Sequence, residues 1–291
     1  MNQKSLVIGL GELLWDVFPD HKQMGGAPCN FAFHASKLGM DSLAISAIGK
    51  DELGAEIIEK LDEVELKYDM QQVDYPTGTV KVTLSGNGIP EYEICYPVAW
   101  DFIGMKPEYE AIAKQTQAVC FGSLAQRGEV SHNTIRSFVS QVPDTALKIF
   151  DINLRQQFYS KALIEDSLKL SNVLKINDDE IKIVADLFGL TGTDETVCQT
   201  LIEQFNLKLV ALTCGTAGSY LITQKESSFL ETPTVEVADT VGAGDSFTAA
   251  MVVGLLTGKS LKETHQMAVK LSAFVCTRHG AMPEYQTDFV L

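Results

Sequence analysis

Short β-rich runs alternate with helix-patterned segments along most of the chain. The runs are LVIGL near Leu6, SLAISAIG near Leu43, AVCFGSL near Val119, LKIFDIN near Ile149, NVLKIN near Leu174 and LVALTCG near Val210. Between them lie segments such as DELGAEIIEKLDEV, in which Leu53, Ile57, Leu61 and Val64 recur on one helical face. Strands without a polar face belong in a mostly parallel sheet covered by helices on both sides. The expectation is therefore a three-layer α/β fold. Its 291 residues suit one large domain with an excursion, or two domains at most.

The excursion is visible as a change of period. From Tyr75 to Tyr96, Val80, Val82 and Leu84 alternate with Thr79, Lys81 and Thr83, SGNGIP turns the chain, and Tyr92, Ile94 and Tyr96 alternate with Glu91, Glu93 and Cys95. Strands with one polar face do not fit the middle of a parallel sheet and predict a small separate sheet. ELLWDVFPD near Trp15 is expected to add a strand to it.

The unusual residues fall after the strands: Gly9 and Gly11, Gly122 and Ser123, Asp151 to Arg155, Asn177 to Glu180, and Thr213 to Gly218. Open α/β sheets bind their ligands in the crevice at these carboxyl ends. The most specific segment is DTVGAGDSF, Asp239 to Phe247, which runs straight into the apolar TAAMVVGLL. It reads as a turn with a capped helix, or as free N–H groups of Gly242, Ala243 and Gly244 that hold an anion beside a base, Asp245. NDDE, Asn177 to Glu180, reads as a capping box, or as oxygen ligands for a hydrated magnesium ion. GGAPCNFAFHASKLG carries a Pro suited to a first helical turn and a Gly suited to a helix end, and its double glycine with Asn30 also suits a polyol. DINLR reads as a solvated loop, with Arg155 able to serve as a planar fork for a phosphate or a hydroxyl-rich ligand.

Composition removes several classes of function. The balance of 23 basic against 38 acidic side chains gives a net charge of −15 without a basic cluster, which disfavours nucleic acid. An acidic chain that handles a polyphosphate needs local help from helix N-termini or a cation. The six cysteines form no C-x-x-C pair and read as reduced. No apolar run reaches the roughly 18 to 20 residues of a membrane span, and MNQKSLVIGLGE enters a strand at once, so a cytoplasmic location is expected. There is no G-x-x-x-x-G-K-[ST], Leu14 breaks G-x-G-x-x-G, and the five histidines contain no H-x-x-x-H.

Taken together, these segments resemble the ribokinase-like (PfkB) carbohydrate kinases. DTVGAGDSF resembles the family's C-terminal signature and GGAPCNFAFHASKLG its N-terminal one, and the likeness runs from GELLWDVFPD to TRHGAMP. The resemblance implies one ribokinase-like domain over 1–291, with a β lid built from about 12–24 and 75–100. It implies that Gly242, Ala243 and Gly244 form the anion hole for the γ-phosphoryl group of ATP and that Asp245 is the base. Asn177 and Glu180 would serve Mg2+ and the triphosphate, Thr213, Gly215 and Gly218 the nucleotide, and Asp16, Gly26, Asn30 and Arg155 the sugar. Asp239, Val241, Val275, Arg278 and Gly280 stand where such kinases hold a monovalent cation such as K+. GGAPCN, GELLWDVFP and DINLR together look most like bacterial fructokinases, which phosphorylate the 6-hydroxyl of fructose. Kinases for 2-keto-3-deoxygluconate or ribose, and a non-catalytic sugar- or nucleotide-binding protein, stay open as alternatives. The polar face of the lid is available for a homodimer.

Overall fold

The computed structural model describes residues 4–84 and 90–290. Nine strands form one sheet: β1 (Leu6–Leu10), β4 (Asp41–Gly49), β5 (Tyr68–Val73), β8 (Ala118–Phe121), β9 (Leu147–Asp151), β10 (Val173–Asn177), β11 (Leu209–Thr213), β12 (Ser219–Ile222) and β13 (Ser227–Leu230). Their order is β13-β12-β11-β10-β9-β8-β1-β4-β5. All pairs from β11 to β5 are parallel, and β12 and β13 add an antiparallel ribbon at one edge. Alternation along the strands divides the core. Ile8, Leu10, Val119, Phe121, Leu174 and Ile176 enter one apolar layer, whereas Val7, Ala118, Cys120 and Val173 enter the opposite one.

The first layer is covered by α3 (Glu108–Gln115), α4 (Glu129–Gln141), α5 (Lys161–Leu170), α6 (Glu180–Phe188) and α7 (Asp194–Phe205). The second is covered by α1 (Ala27–Lys37), α8 (Ala243–Leu256) and α9 (Leu261–Cys276). The remaining helix, α2 (Glu52–Glu63), packs Ile57 and Leu61 against Leu13, Trp15 and Phe33. Helix α8 is apolar on all sides because it is enclosed on all sides. At Gly254 it lies so close to α9 that a Cβ there would stand 2.8 Å from Thr264 Oγ1. This packing fixes the height of the α8 N-terminus above the strand ends.

A second sheet has the order β3-β2-β6-β7, from β2 (Leu14–Val17), β3 (Lys22–Gly25), β6 (Gly78–Leu84) and β7 (Pro90–Ile94). The hairpin and the Trp15 strand expected from sequence both belong to it. The SGNGIP turn falls largely on 85–89, outside the described residues, as do the side chains of 82–84 and 90–92. Three strands of the large sheet carried no clear sequence signal. YDMQQV, SYLI and SSFL lie at or next to its edges, where one face is only half-covered and apolar alternation is weak. Among the described residues, no helix is long and apolar enough to cross a membrane.

Candidate active site

Helix α8 begins at the turn that the sequence marks. Gly242 is its N-cap, with a φ of 77°, and a Cβ there would lie 2.7 Å from the Ala281 backbone, so glycine is required for both reasons. Of the three turn residues, Ala243 does not have a free donor: its N–H donates to Thr240 O at 3.3 Å. Asp245 lies in the first turn and accepts from Asn30 Nδ2 at 2.7 Å, which joins α8 to α1. Asp245 is half-buried, and burial raises its carboxyl to about 6, with a further rise from Asp151. Asn30, Lys175 and Arg155 pull it the other way.

Directly beneath the turn is a buried ion pair. Lys175 Nζ of β10 stands 3.1 Å from Asp151 Oδ1, at the end of β9, and Asp151 Oδ2 accepts from Thr248 Oγ1 at 3.1 Å. A Cβ on Gly244 would lie 3.1 Å from Lys175 Nζ, so the ammonium of this ion pair sits directly behind the helix N-terminus. The solvated-loop reading of DINLR therefore fails for Asp151, which is 3% exposed and is paired with Lys175 and bonded by Thr248 inside the protein. Arg155 does project into solvent, donating from Nη1 to Leu154 O at 3.0 Å.

The other side of Asp245 is acidic. Asp16, on β2, lies against the double glycine: a Cβ on Gly25 would stand 2.8 Å from Asp16 Oδ2. Burial raises the Asp16 carboxyl to about 6, Arg155 opposes the rise and Asp239 adds to it. Gly26 has a φ of 128° and packs on the Glu12 carbonyl, too close for a Cβ. Glu12 itself is 2% exposed, and its Oε2 is buried without a hydrogen-bond partner among the described residues. Burial pushes its carboxyl up to about 7, with smaller upward contributions from Asp245 and Asp151 and a downward one from Arg155. The Oδ1 of Asn30 is likewise buried without a partner. Asp16, Asn30 and Asp245 thus gather around Glu12, and the exposed Arg155 is close enough for its charge to act on all three carboxyl groups.

Along the sheet, Asn177 and Glu180 form the reciprocal pair of a capping box. Asn177 Oδ1 accepts from Glu180 N at 2.8 Å, and Glu180 Oε2 accepts from Asn177 N at 2.9 Å. The second Glu180 oxygen accepts from Leu154 N at 2.8 Å. Asn177 Oδ1 also accepts from Asp179 N at 3.0 Å, whereas each Glu180 oxygen accepts one such bond and keeps a lone pair, which fits a water-mediated contact to a hydrated cation; among the described residues no three acidic, His or Cys side chains form a metal cage. One strand further out, Thr213 ends β11 and leads into a turn with positive φ at Gly215 (52°) and Gly218 (134°). That turn is closed by Cys214 N to Gly218 O at 2.8 Å. Asp239 bridges two loops, accepting from Val241 N at 3.0 Å and Gly280 N at 3.1 Å. The Val275 carbonyl is engaged by Arg278 N at 2.9 Å. A cleft of about 630 Å³ opens at the opposite ends of these strands, around Lys148 and Lys208, and contains none of these residues.

Two residues of the crevice were missed in the sequence, although both leave a trace. Glu12 is an acidic residue between Leu10 and Leu13, and Lys175 is a lysine inside the apolar run VLKIN. A charge embedded in such a run is costly unless it is paired or used.

Comparison with known proteins follows the same outline. The model of the pfkB family carbohydrate kinases matches residues 4–288. The ATP-dependent 6-phosphofructokinase of Thermoanaerobacterium thermosaccharolyticum is 28% identical, over 97% of this chain and 91% of its own. The fructokinase of Salmonella typhimurium is 26% identical, over 99% and 98%. A crystal structure of an uncharacterized sugar kinase from Pyrococcus horikoshii superposes with a TM-score of 0.83 at 27% identity, over 98% and 96% of the two chains.

Proposed function

Because the chain belongs to the pfkB family of carbohydrate kinases, we propose that it transfers the γ-phosphoryl group of ATP to the 6-hydroxyl of fructose. The observation that carries this reading is the head of α8: Asp245, oriented by Asn30, stands beside a helix N-terminus backed by the Lys175 ammonium. Phosphoryl transfer needs positioning and charge stabilisation more than covalent chemistry. Asp245 takes the proton of the attacking sugar hydroxyl, the hydroxyl oxygen bonds the γ-phosphorus, and the bond from the γ-phosphorus to the β-phosphate oxygen breaks to release ADP. A carboxylate about 4 Å from a phosphate is repelled by roughly 4 kcal/mol per unit charge at an effective dielectric of 20. The Gly242–Gly244 turn and Lys175 offset that repulsion.

Asn177 and Glu180 would hold the waters of Mg2+, which supplies charge neutralisation on the phosphates. Asp239 would face a monovalent cation together with the carbonyls of Val241, Val275, Arg278 and Gly280. Thr213, Gly215 and Gly218 would line the nucleotide. The small sheet acts as a lid, with Asp16 on β2 bringing its carboxylate over the sugar, and expelling water there limits wasteful hydrolysis.

An uncharged sugar is favoured over a sugar phosphate or a sugar acid. Of the charged groups that act on Glu12 and Asp16, Arg155 is the one cation, and the others are Asp151, Asp239 and Asp245. A second arginine near the strand ends, Arg127, is held by Asp101 at 2.8 Å and by the Cys95 carbonyl. The test is ADP release with Mg·ATP across fructose, ribose, 2-keto-3-deoxygluconate, adenosine and fructose 6-phosphate. Turnover dominated by fructose supports the proposal. Preference for fructose 6-phosphate overturns the charge argument, and silence on all five would favour a binding protein of this fold or an acceptor outside the panel.

A further inference from the structure

Glu12 is a buried acidic side chain of the crevice for which the mechanism above has no use and which no cation pairs among the described residues. Its backbone is clamped under Gly26, and its side chain reaches the end of β8, where a Cβ on Gly122 would lie 3.9 Å from Oε1. Its own backbone N–H bonds the carboxyl group, whereas Oε2 is buried and unpartnered among the described residues. A buried oxygen without a partner is costly, and a hydroxyl entering the crevice would pair it. The partner cannot be a second anion. Asp245 of α8 and Asp151 at the end of β9 already act on Glu12, with the Cys120 thiol of β8 beside it; Arg155 is the cation that acts on Glu12, and the nearby Lys175 ammonium is taken up by Asp151.

Two neighbouring carboxyl groups in a shielded crevice do not both ionise readily. Asp245 must be the ionised member to act as base, so Glu12 is the neutral one, and an incoming triphosphate reinforces that order. We infer that Glu12 holds the acceptor sugar as a neutral carboxylic acid, with Oε2 hydrogen-bonded to a sugar hydroxyl. This rests on the kinase reading and extends it by a residue that touches the acceptor. Burial sets the Glu12 carboxyl at about 7, so sugar affinity falls as pH rises through neutrality, and the bound sugar moves that limb upward.

The experiment compares wild type, Glu12→Gln and Glu12→Ala, with kcat and both KM values measured across pH. Sugar binding is followed by calorimetry in parallel. Glu12→Gln, which keeps a neutral donor, should hold the sugar KM within about threefold and abolish its alkaline rise. Glu12→Ala should raise the sugar KM by about tenfold, the value of one hydrogen bond to a buried partner, with the ATP KM unchanged. Glutamine as damaging as alanine, an unchanged sugar KM in Glu12→Ala, or a joint rise of both KM values would overturn the inference. An infrared difference spectrum of wild type minus Glu12→Gln at neutral pH reads the protonation state without turnover. A protonated carboxyl band supports the inference and a carboxylate band overturns it, even if the wild type phosphorylates none of the sugars offered. Wild type that turns over a sugar while Glu12→Ala behaves identically removes Glu12 and leaves the kinase reading intact.

Discussion

Asn30 and Asp245 are 215 positions apart in sequence and 2.7 Å apart in space, the amide of one helix donating to the carboxylate of another. The bond sets which way the carboxylate faces and leaves the second Asp245 oxygen for the crevice. It also joins the two segments that resemble family signatures, so the double-glycine helix and the Gly-Ala-Gly helix act as one unit.

Removing the base should separate binding from chemistry. In Asp245→Asn, kcat is expected to fall by about 10² to 10⁴, the usual worth of a positioned proton acceptor. The ATP dissociation constant, read by calorimetry, should stay near that of wild type. Unchanged turnover would remove Asp245 from the mechanism.

The acid limb of the rate profile follows from the same carboxyl. With Asp245 raised to about 6, activity is lost as pH falls through about 6, because the protonated form cannot accept the hydroxyl proton. Asn30 favours the ionised form, so Asn30→Ala should move the limb to higher pH as well as lower kcat. A limb that moves to lower pH in kcat/KM measurements would contradict this electrostatic order.

The linkage to stability runs in the opposite sense. A carboxyl whose folded value lies above its unfolded one binds more protons in the folded protein, so its contribution is fullest at low pH and is lost as pH rises. For Asp245 the window runs from about 4 to about 6. Asp245→Asn is therefore expected to melt above wild type at neutral pH and to lose that advantage near pH 4. Thermal unfolding at the two pH values decides it.

Much of this architecture was legible because α/β sheets write both of their faces in apolar residues. LVIGL, AVCFGSL and LVALTCG announced strands, and the period-two hairpin near Val80 announced a second sheet. YDMQQV and SSFL stayed hidden because edge strands carry half the signal. The site was legible at its glycines, where backbone conformation demands the residue, as at Gly242 and Gly26. Asn177 and Glu180 proved to be a capping box, which is a local pattern and can be read locally. Glu12 and Lys175 were not read, since their meaning depends on which charges face them across the crevice, and only tertiary packing brings Lys175 to Asp151.

That ion pair offers a test in which charge and packing separate. Lys175→Met leaves Asp151 buried with only Thr248 as a partner, and the cost of such a broken pair is about 3–5 kcal/mol. Adding Asp151→Asn removes the stranded charge and should return much of the stability. Phosphoryl transfer should not return with it, because the positive charge behind Gly244 is still missing. Recovery of both in the double variant would reduce the pair to a packing element.

Two glycine substitutions, two residues apart in one turn, should fail in different ways. At Gly242 an alanine meets a φ of 77° and the Ala281 backbone at 2.7 Å, and neither can yield cheaply, so Gly242→Ala should lose about 1–3 kcal/mol of stability. At Gly244 the obstacle is the end of a flexible side chain, Lys175 Nζ at 3.1 Å, which can withdraw by a few tenths of an ångström. Gly244→Ala should therefore melt close to wild type while kcat falls, since the withdrawing ammonium moves away from the helix N-terminus. Melting temperatures and kcat values measured on both variants check the contrast; a Gly244→Ala protein with full activity would mean that the position of Lys175 has no bearing on the transferred phosphoryl group.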